Sequence, residues 1–252
     1  MNSGNRYTDY DNFAWVYNKH WGNHFLPVAL NVIESLVLPG IPANACILDL
    51  CCGTGQLAGE LSQQGYCVTG IDSSEKMLSF ACENAPEVKF VLDDARIFRN
   101  LNKYHLIVSM FDSLNHVMTS EELVEIFQNV RESLRDDGLF LFDVNIENGY
   151  QNHWYGTHGI VEDDHVCVFQ TDYNPDSHIA RFEATIFRLE DDWYRSDITL
   201  LQMCYSESDI RTALESAGFT GIDAYANDVR AGLTDLTRDA DRAFFLCRKT
   251  QI

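Results

Sequence analysis

The chain has 252 residues, 46% of them apolar, so it can bury a sizeable core and is not a disordered polymer. Its 18 basic and 38 acidic side chains give a net charge of −20 with no offsetting run of Lys or Arg, which argues against a nucleic-acid partner. No stretch approaches the roughly 20 apolar residues that span a bilayer, so no membrane partner is expected.

The elements follow in chain order. An aromatic N-terminal arm covers about 7–38, with Phe13, Val16, Tyr17 and His20 at helical spacing. A second helix follows Pro27, carrying Val28, Ala29, Val32, Ile33, Leu36 and Val37 on one face, and Pro39-Gly40 stops it. Strand and helix signals then alternate. Strands are expected over 46–50, 66–71, 88–92, 104–110 and 138–144. Helices are expected over 57–64, 75–85 and, after the capping box Thr119-x-x-Glu122, to about 135. Near-continuous apolar strands between amphipathic helices imply a parallel sheet covered on both faces.

After Val144 the period changes to two. Three antiparallel strands are read over 165–173, 179–189 and 197–205, with Asn174-Pro175-Asp176 and Glu190-Asp191-Asp192 as turns. Ser206-x-x-Asp209 caps a further helix, and 222–226 and 243–248 are final strands. The expected fold is α/β: a Rossmann-like, seven-stranded, mostly parallel sheet with helices on both faces and an inserted antiparallel β subdomain. The expected division is an arm (1–40), the α/β domain (41–147 and 206–252) and the insert (148–205), which serves as an acceptor lid or a dimer contact.

The chemistry concentrates in Ile47-Leu48-Asp49-Leu50-Cys51-Cys52-Gly53-Thr54-Gly55-Gln56-Leu57-Ala58, a strand, a glycine turn and a helix. Gly53-x-Gly55-x-x-Ala58 fits the loose dinucleotide fingerprint, although such glycines also serve a tight turn alone. Asp72 ends the second strand, about 20 residues on, where a carboxylate takes ribose hydroxyls or caps the next helix. Asp93-Asp94-Ala95 follows the third strand, as an adenine-amino acceptor or a solvated turn. Asp49 discriminates between ligands. So close to the glycines it repels a pyrophosphate and attracts an ammonium group, which favours a cationic adenosyl ligand over NAD.

The layout resembles the class I S-adenosylmethionine-dependent methyltransferases of the small-molecule type. The resemblance spans most of the chain. It rests on the run from Ile47 to Gly55, on Gly70-Ile71-Asp72-Ser73-Ser74-Glu75-Lys76-Met77-Leu78, on Asp93-Asp94-Ala95 and on Gly138-Leu139-Phe140-Leu141-Phe142-Asp143, with Tyr10-x-x-Phe13-Ala14-x-x-Tyr17 in the arm. It implies S-adenosyl-L-methionine as cofactor. Asp49, Cys51, Gly53 and Gly55 then border the methionine moiety, Asp72 and Ser73 the ribose, Met77 the adenine face, and Asp94 and Ala95 the adenine edge. Met110 lines the floor and Tyr17 closes over the cofactor. The family usually has Gly at the position of Cys51, so the backbone there must be roomier or differently turned.

Phe111-Asp112-Ser113-Leu114-Asn115-His116 follows the fourth strand, where such enzymes face the acceptor. His116 is the candidate general base, because an imidazole titrates near neutrality. Asp112 and Asn145 are lesser candidates. His20-x-x-x-His24 lacks the acid of a zinc-peptidase helix, and the eight cysteines form no C-x-x-C pair, so no metal is expected. The polar segment Met1 to Asp11 and the cysteines within apolar runs fit a reducing cytoplasm. The expected function is in-line methyl transfer to O, N or C of a small-molecule acceptor by a monomer or homodimer. The alternatives are a non-catalytic adenosylmethionine-binding regulator and an NAD-linked oxidoreductase.

Overall fold

The computed structural model describes residues 9–228 and 232–249; Tyr7 and the rest of the segment before residue 9 lie outside the described residues. Helix α1 (Asp9–Val16) runs into a π-helical turn (Tyr17–Trp21), and α2 (Leu26–Leu36) follows. The main domain then takes the order β1 (Cys46–Leu50), α3 (Gln56–Gln63), β2 (Cys67–Asp72), α4 (Glu75–Asn84), β3 (Lys89–Leu92), β4 (Tyr104–Ser109), α5 (Ser120–Ser133) and β5 (Leu134–Asn145). Next come α6 (Glu147–His153) and four antiparallel strands, β6 (Gly156–Val161), β7 (His165–Asn174), β8 (Ile179–Leu189) and β9 (Trp193–Met203). Helix α7 (Glu207–Ser216), β10 (Gly221–Asp228), β11 (Gly232–Asp235) and β12 (Arg242–Arg248) complete it.

The main sheet has the order β11-β10-β12-β5-β4-β1-β2-β3. Strands β3, β2, β1, β4 and β5 are parallel, and β12, β10 and β11 each run antiparallel to their neighbour. Alternate residues of the central strands feed two cores. Leu48, Leu50, Ile107, Phe140 and Phe142 pack toward α5 and α7, through Leu123, Phe127, Ile210 and Leu214. Ile47, Leu106, Val108 and Leu141 pack toward α2 and α3, through Val32, Ile33, Ala58 and Leu61. Burial on both faces is why these strands read as unbroken apolar runs.

Two strands exceed the sequence expectation. The main sheet has eight strands rather than seven, the addition being β11, a four-residue edge paired with β10. The antiparallel sheet has four rather than three, the addition being β6. Strand β6 is exposed along most of its length and is held by backbone pairing to β7 rather than by burial, so no alternation of apolar residues marks it. Helix α6 is also an addition, and β5 begins four residues earlier than expected.

The inner face of β7–β9 packs Cys167, Phe169, Ala184, Ile186, Ile198 and Leu200 against Phe13 and Val16 of the arm. The arm thus lies between this sheet and the carboxyl edge of the main sheet. There the strand order reverses on either side of β1, where open α/β sheets bind ligands.

Candidate active site

Three contiguous cavities follow that edge, and Tyr17 and Phe111 border all of them. The first encloses about 750 Å³ of empty space between the ends of β1, β2 and β3, bordered by Cys51, Gly53, Asp72, Ser73, Met77, Asp94 and Ala95. The second, about 410 Å³, lies beside the glycine loop and reaches Asp49 and Met110. The third, about 560 Å³, opens between the arm and the antiparallel sheet and is bordered by Asp112 and His116. The expected cofactor residues therefore converge on one cleft, with the exception of Gly55. That residue has φ +80° and begins α3, and a Cβ on it would approach Ala81 and Phe90 to 2.9 Å. It shapes the turn and borders none of the three cavities. Asn145 also stands apart: its backbone N–H and carbonyl clamp the Asn115 amide.

Asp49, the penultimate residue of β1, is almost wholly buried, at 3% exposure, and its Oδ2 has no hydrogen-bond partner. Burial and the neighbouring Asp72 push its carboxyl up to about 8, against a stabilising Ala58 N–H from the first turn of α3. A buried oxygen without a donor is costly. An ammonium group arriving from the second cavity would satisfy it, so the residues present fit the expected cofactor.

Asp72 accepts from the backbone N–H of Gly53 and of Ser74, each at 2.9 Å, and so ties the glycine loop to the start of α4. The N-cap of α4 is Ser74, whose hydroxyl accepts the Met77 N–H. Burial raises the Asp72 carboxyl while the bonds from Ser74 and Gly53 hold it down. Asp94 faces the adenine-sized end, but Arg96 grips its carboxylate through Nε at 2.9 Å and also pairs with Glu122. Burial alone would raise Asp94; the Arg96 bonds win and lower it.

Cys51 has φ +62°, which explains the glycine usual at this position. Burial drives the thiols of Cys51 and Cys52 well up, so neither is a thiolate nucleophile. A left-handed non-glycine residue costs about 1–2 kcal/mol, partly offset here by the chain entropy that Gly loses on folding. Cys51→Gly is therefore expected to stabilise the protein by about 0.5–1 kcal/mol in urea denaturation. A lower midpoint at unchanged slope would show that packing of the thiol outweighs the strain.

The arm closes the cleft and is tied down on both sides. Asp11 accepts from Ser74 Oγ at 2.6 Å, and Asn18 accepts from Gln56 and Asn84. Toward the antiparallel sheet, His20 and His165 meet Nε2 to Nε2 at 2.8 Å, and His165 Nδ1 bonds Asp164 at 2.6 Å. The π-helical turn, closed by a Gly22 N–H to Tyr17 carbonyl bond, places Tyr17 and Trp21 on the cleft together.

His116 stands where the first and third cavities meet. Its Nδ1–H donates to the Leu201 carbonyl at 2.9 Å, leaving Nε2 as an acceptor. The Tyr10 hydroxyl donates to that Nε2 at 2.7 Å. Burial lowers the imidazole against the opposing pull of Asp112, so His116 is neutral near pH 7. Behind it, Phe111 and Asp112 are consecutive left-handed residues, φ +65° and +49°, and both N–H groups donate to the buried Asp143 carboxylate. Arg242 bridges Asp143 and Asp112 and lies 4.5 Å from the Phe25 ring centroid. Tyr10, Phe111, Gln202, Asp143 and Arg242 escaped the sequence reading as site residues. Tyr10, Phe111 and Asp143 carried a signal only as members of quoted motifs, and Gln202 and Arg242 carried none.

A methyltransferase-domain family matches residues 47–138, the segment that carries Asp49, the glycine loop, Asp72 and Asp94. A putative methyltransferase of Geobacillus sp. (strain WCH70) is 28% identical over 251 residues, covering 95% of this chain and 99% of that protein. These likenesses support the reading of the chain as a class I S-adenosylmethionine-dependent methyltransferase. Its fold matches an S-adenosylmethionine-dependent methyltransferase from Clostridium acetobutylicum ATCC 824 with a TM-score of 0.78 at 21% identity, over 96% of this chain and 99% of that one. The dTDP-3-amino-3,4,6-trideoxy-alpha-D-glucopyranose N,N-dimethyltransferase of Streptomyces venezuelae is 31% identical over 111 residues, 44% of this chain and 47% of that protein. No described helix of the methyltransferase is long and apolar enough to cross a membrane.

Proposed function

We propose that the methyltransferase holds S-adenosylmethionine across the first two cavities and methylates a small-molecule acceptor seated in the third. The observation that carries this reading is the continuity of the three cavities past Tyr17 and Phe111, with His116 at the junction. The cofactor, when bound, supplies an electrophilic methyl group on a sulfonium. Asp49 takes its ammonium group beside Cys51 and Gly53, Asp72 and Ser73 its ribose, Met77 and Ala95 flank the adenine, and Asp94 receives the adenine edge. Met110 forms the floor and Tyr17 the cover.

His116 accepts the proton of an O, N or C nucleophile at Nε2, the nitrogen that now faces the Tyr10 hydroxyl. Its Leu201 bond fixes the tautomer that leaves this nitrogen free to accept. Its lowered affinity for protons keeps it in the basic form. The enclosing aromatic side chains exclude water from the nucleophile. All eight cysteines are free thiols, in keeping with a reducing cytoplasm, and the net charge of −20 argues against nucleic acid. We propose a monomer or homodimer.

Thermal-shift titration tests the cofactor: adenosylmethionine and adenosylhomocysteine should stabilise the protein in proportion to ln(1 + [L]/Kd). NAD should not, and Asp72→Ala should lose the effect. Stabilisation by NAD alone would overturn the reading. For any acceptor turned over, His116→Gln should lower kcat/KM by about 10²–10⁴-fold with adenosylhomocysteine affinity unchanged. Retained turnover would reduce His116 to a wall of the cavity.

A further inference from the structure

We infer that the acceptor is an amine carried on a flat apolar framework and bears no phosphate. The inference rests on the methyl-transfer reading above and specifies what occupies the third cavity.

The walls of that cavity are mostly aromatic. Phe13 meets Trp21 and Phe182 with ring centroids 5.5 Å apart in each case, and Trp154 and Leu200 close the remaining sides. Tilted and edge-on rings around an open space accept a flat apolar body and offer π faces to a cation. Along these walls a phosphate meets no cationic side chain among the described residues.

The polar groups gather at the end nearest the cofactor cleft: Asp112, His116 and Gln202. Gln202 Nε2 donates to Asp112 at 2.6 Å, and its Oε1 accepts from Tyr150 at 2.8 Å. The one guanidinium here, Arg242, is drawn behind the loop between Asp112 and Asp143 and does not border the cavity. Asp112 and Asp143 share the single guanidinium of Arg242, so the cluster offers no excess positive charge, and the neutral His116 adds none. No Lys or Arg is among the described residues bordering the cavity.

An ammonium entering the cavity therefore meets the Asp112 carboxylate and aromatic faces. A diphosphate meets the same carboxylate with no counter-charge, losing its hydration without replacement. This separates the chain from the dTDP-sugar methyltransferase it resembles over 44% of its length. As the amine loses its proton to His116 Nε2, its lone pair is freed at the junction with the cofactor cleft, where Tyr10 already marks a hydrogen-bond position.

The test is titration calorimetry on the full chain saturated with adenosylhomocysteine, using tryptamine and phenethylamine as amine probes. N-acetyltryptamine serves as the neutral analogue, indole-3-acetate as the anionic one, and dTDP as the diphosphate. Tryptamine should bind at least tenfold more tightly than N-acetyltryptamine or indole-3-acetate, and dTDP should give no heat at millimolar concentration. Asp112→Asn should erase the preference of tryptamine over its acetylated form. Phe182→Ala, which leaves the Asp112–Arg242 cluster intact, should weaken both indoles together. Tighter binding of indole-3-acetate or dTDP, or no binding of either amine, overturns the inference. Failure of adenosylhomocysteine to saturate the protein would instead overturn the methyl-transfer reading beneath it.

Discussion

Asp49→Asn should weaken adenosylmethionine binding by about 10- to 100-fold, the 1.5–3 kcal/mol of a charge-assisted hydrogen bond. It should also abolish a proton release that the unaltered protein shows. The carboxyl is held up to about 8, first by burial and then by Asp72. Unfolded, it ionises near its ordinary value of 3.8. Between those two values the folded state binds the extra proton, so this group's contribution to stability is present below about pH 4 and is lost as pH rises through 8. A cationic ligand works in the opposite sense, because it binds the ionised form. At pH 7 binding should release close to one proton, and affinity should increase from pH 6 to 8. Calorimetry in two buffers of different ionisation enthalpy measures this directly. A release near zero in the unaltered protein would mean that Asp49 does not meet the ammonium group.

Asp143→Ala should be the most destabilising single change considered, at about 3–5 kcal/mol, because it removes one partner of a buried ion pair. Asp143 is fully buried, and its carboxylate serves Arg242 and the N–H groups of Phe111 and Asp112 at once. Without it, two strained left-handed residues lose the acceptor that holds them, and Arg242 keeps only Asp112. The protein's total stability is expected to be about 5–15 kcal/mol, so the loss is a large fraction of it. Asp143→Asn keeps one acceptor oxygen and loses the charge, and should fall between the two in urea denaturation. A loss below about 1 kcal/mol for Asp143→Ala would show that water can replace the carboxylate.

The two residues differ in how far sequence could reach them. Asp49 sits four residues before Gly53, and that local spacing alone marks it as a candidate partner for an ammonium group. Asp143 closes the motif Gly138–Asp143 within β5, yet its partners Phe111 and Arg242 lie 32 and 99 residues away. His116 was recognisable from its place after β4, whereas its hydrogen-bond partner Tyr10 lies 106 residues upstream. Likewise His20 carried a weak helical spacing to His24, but it bonds His165, 145 residues downstream in β7.

The chain's own pattern determined the alternation of strand and helix, the glycine turn at Gly53 and the three acids at the ends of β1, β2 and β3. Each of these is local: a period of two or 3.6, a cap, a turn or a strand end. Tertiary structure alone decided that Tyr17 and Phe111 join three cavities, that Gly55 turns away from the cleft, that Cys51 takes the left-handed conformation and that β6 and β11 extend the sheets. These outcomes depend on pairing and packing between distant segments, and edge strands and strained turns owe their stability to neighbours that no window of sequence contains.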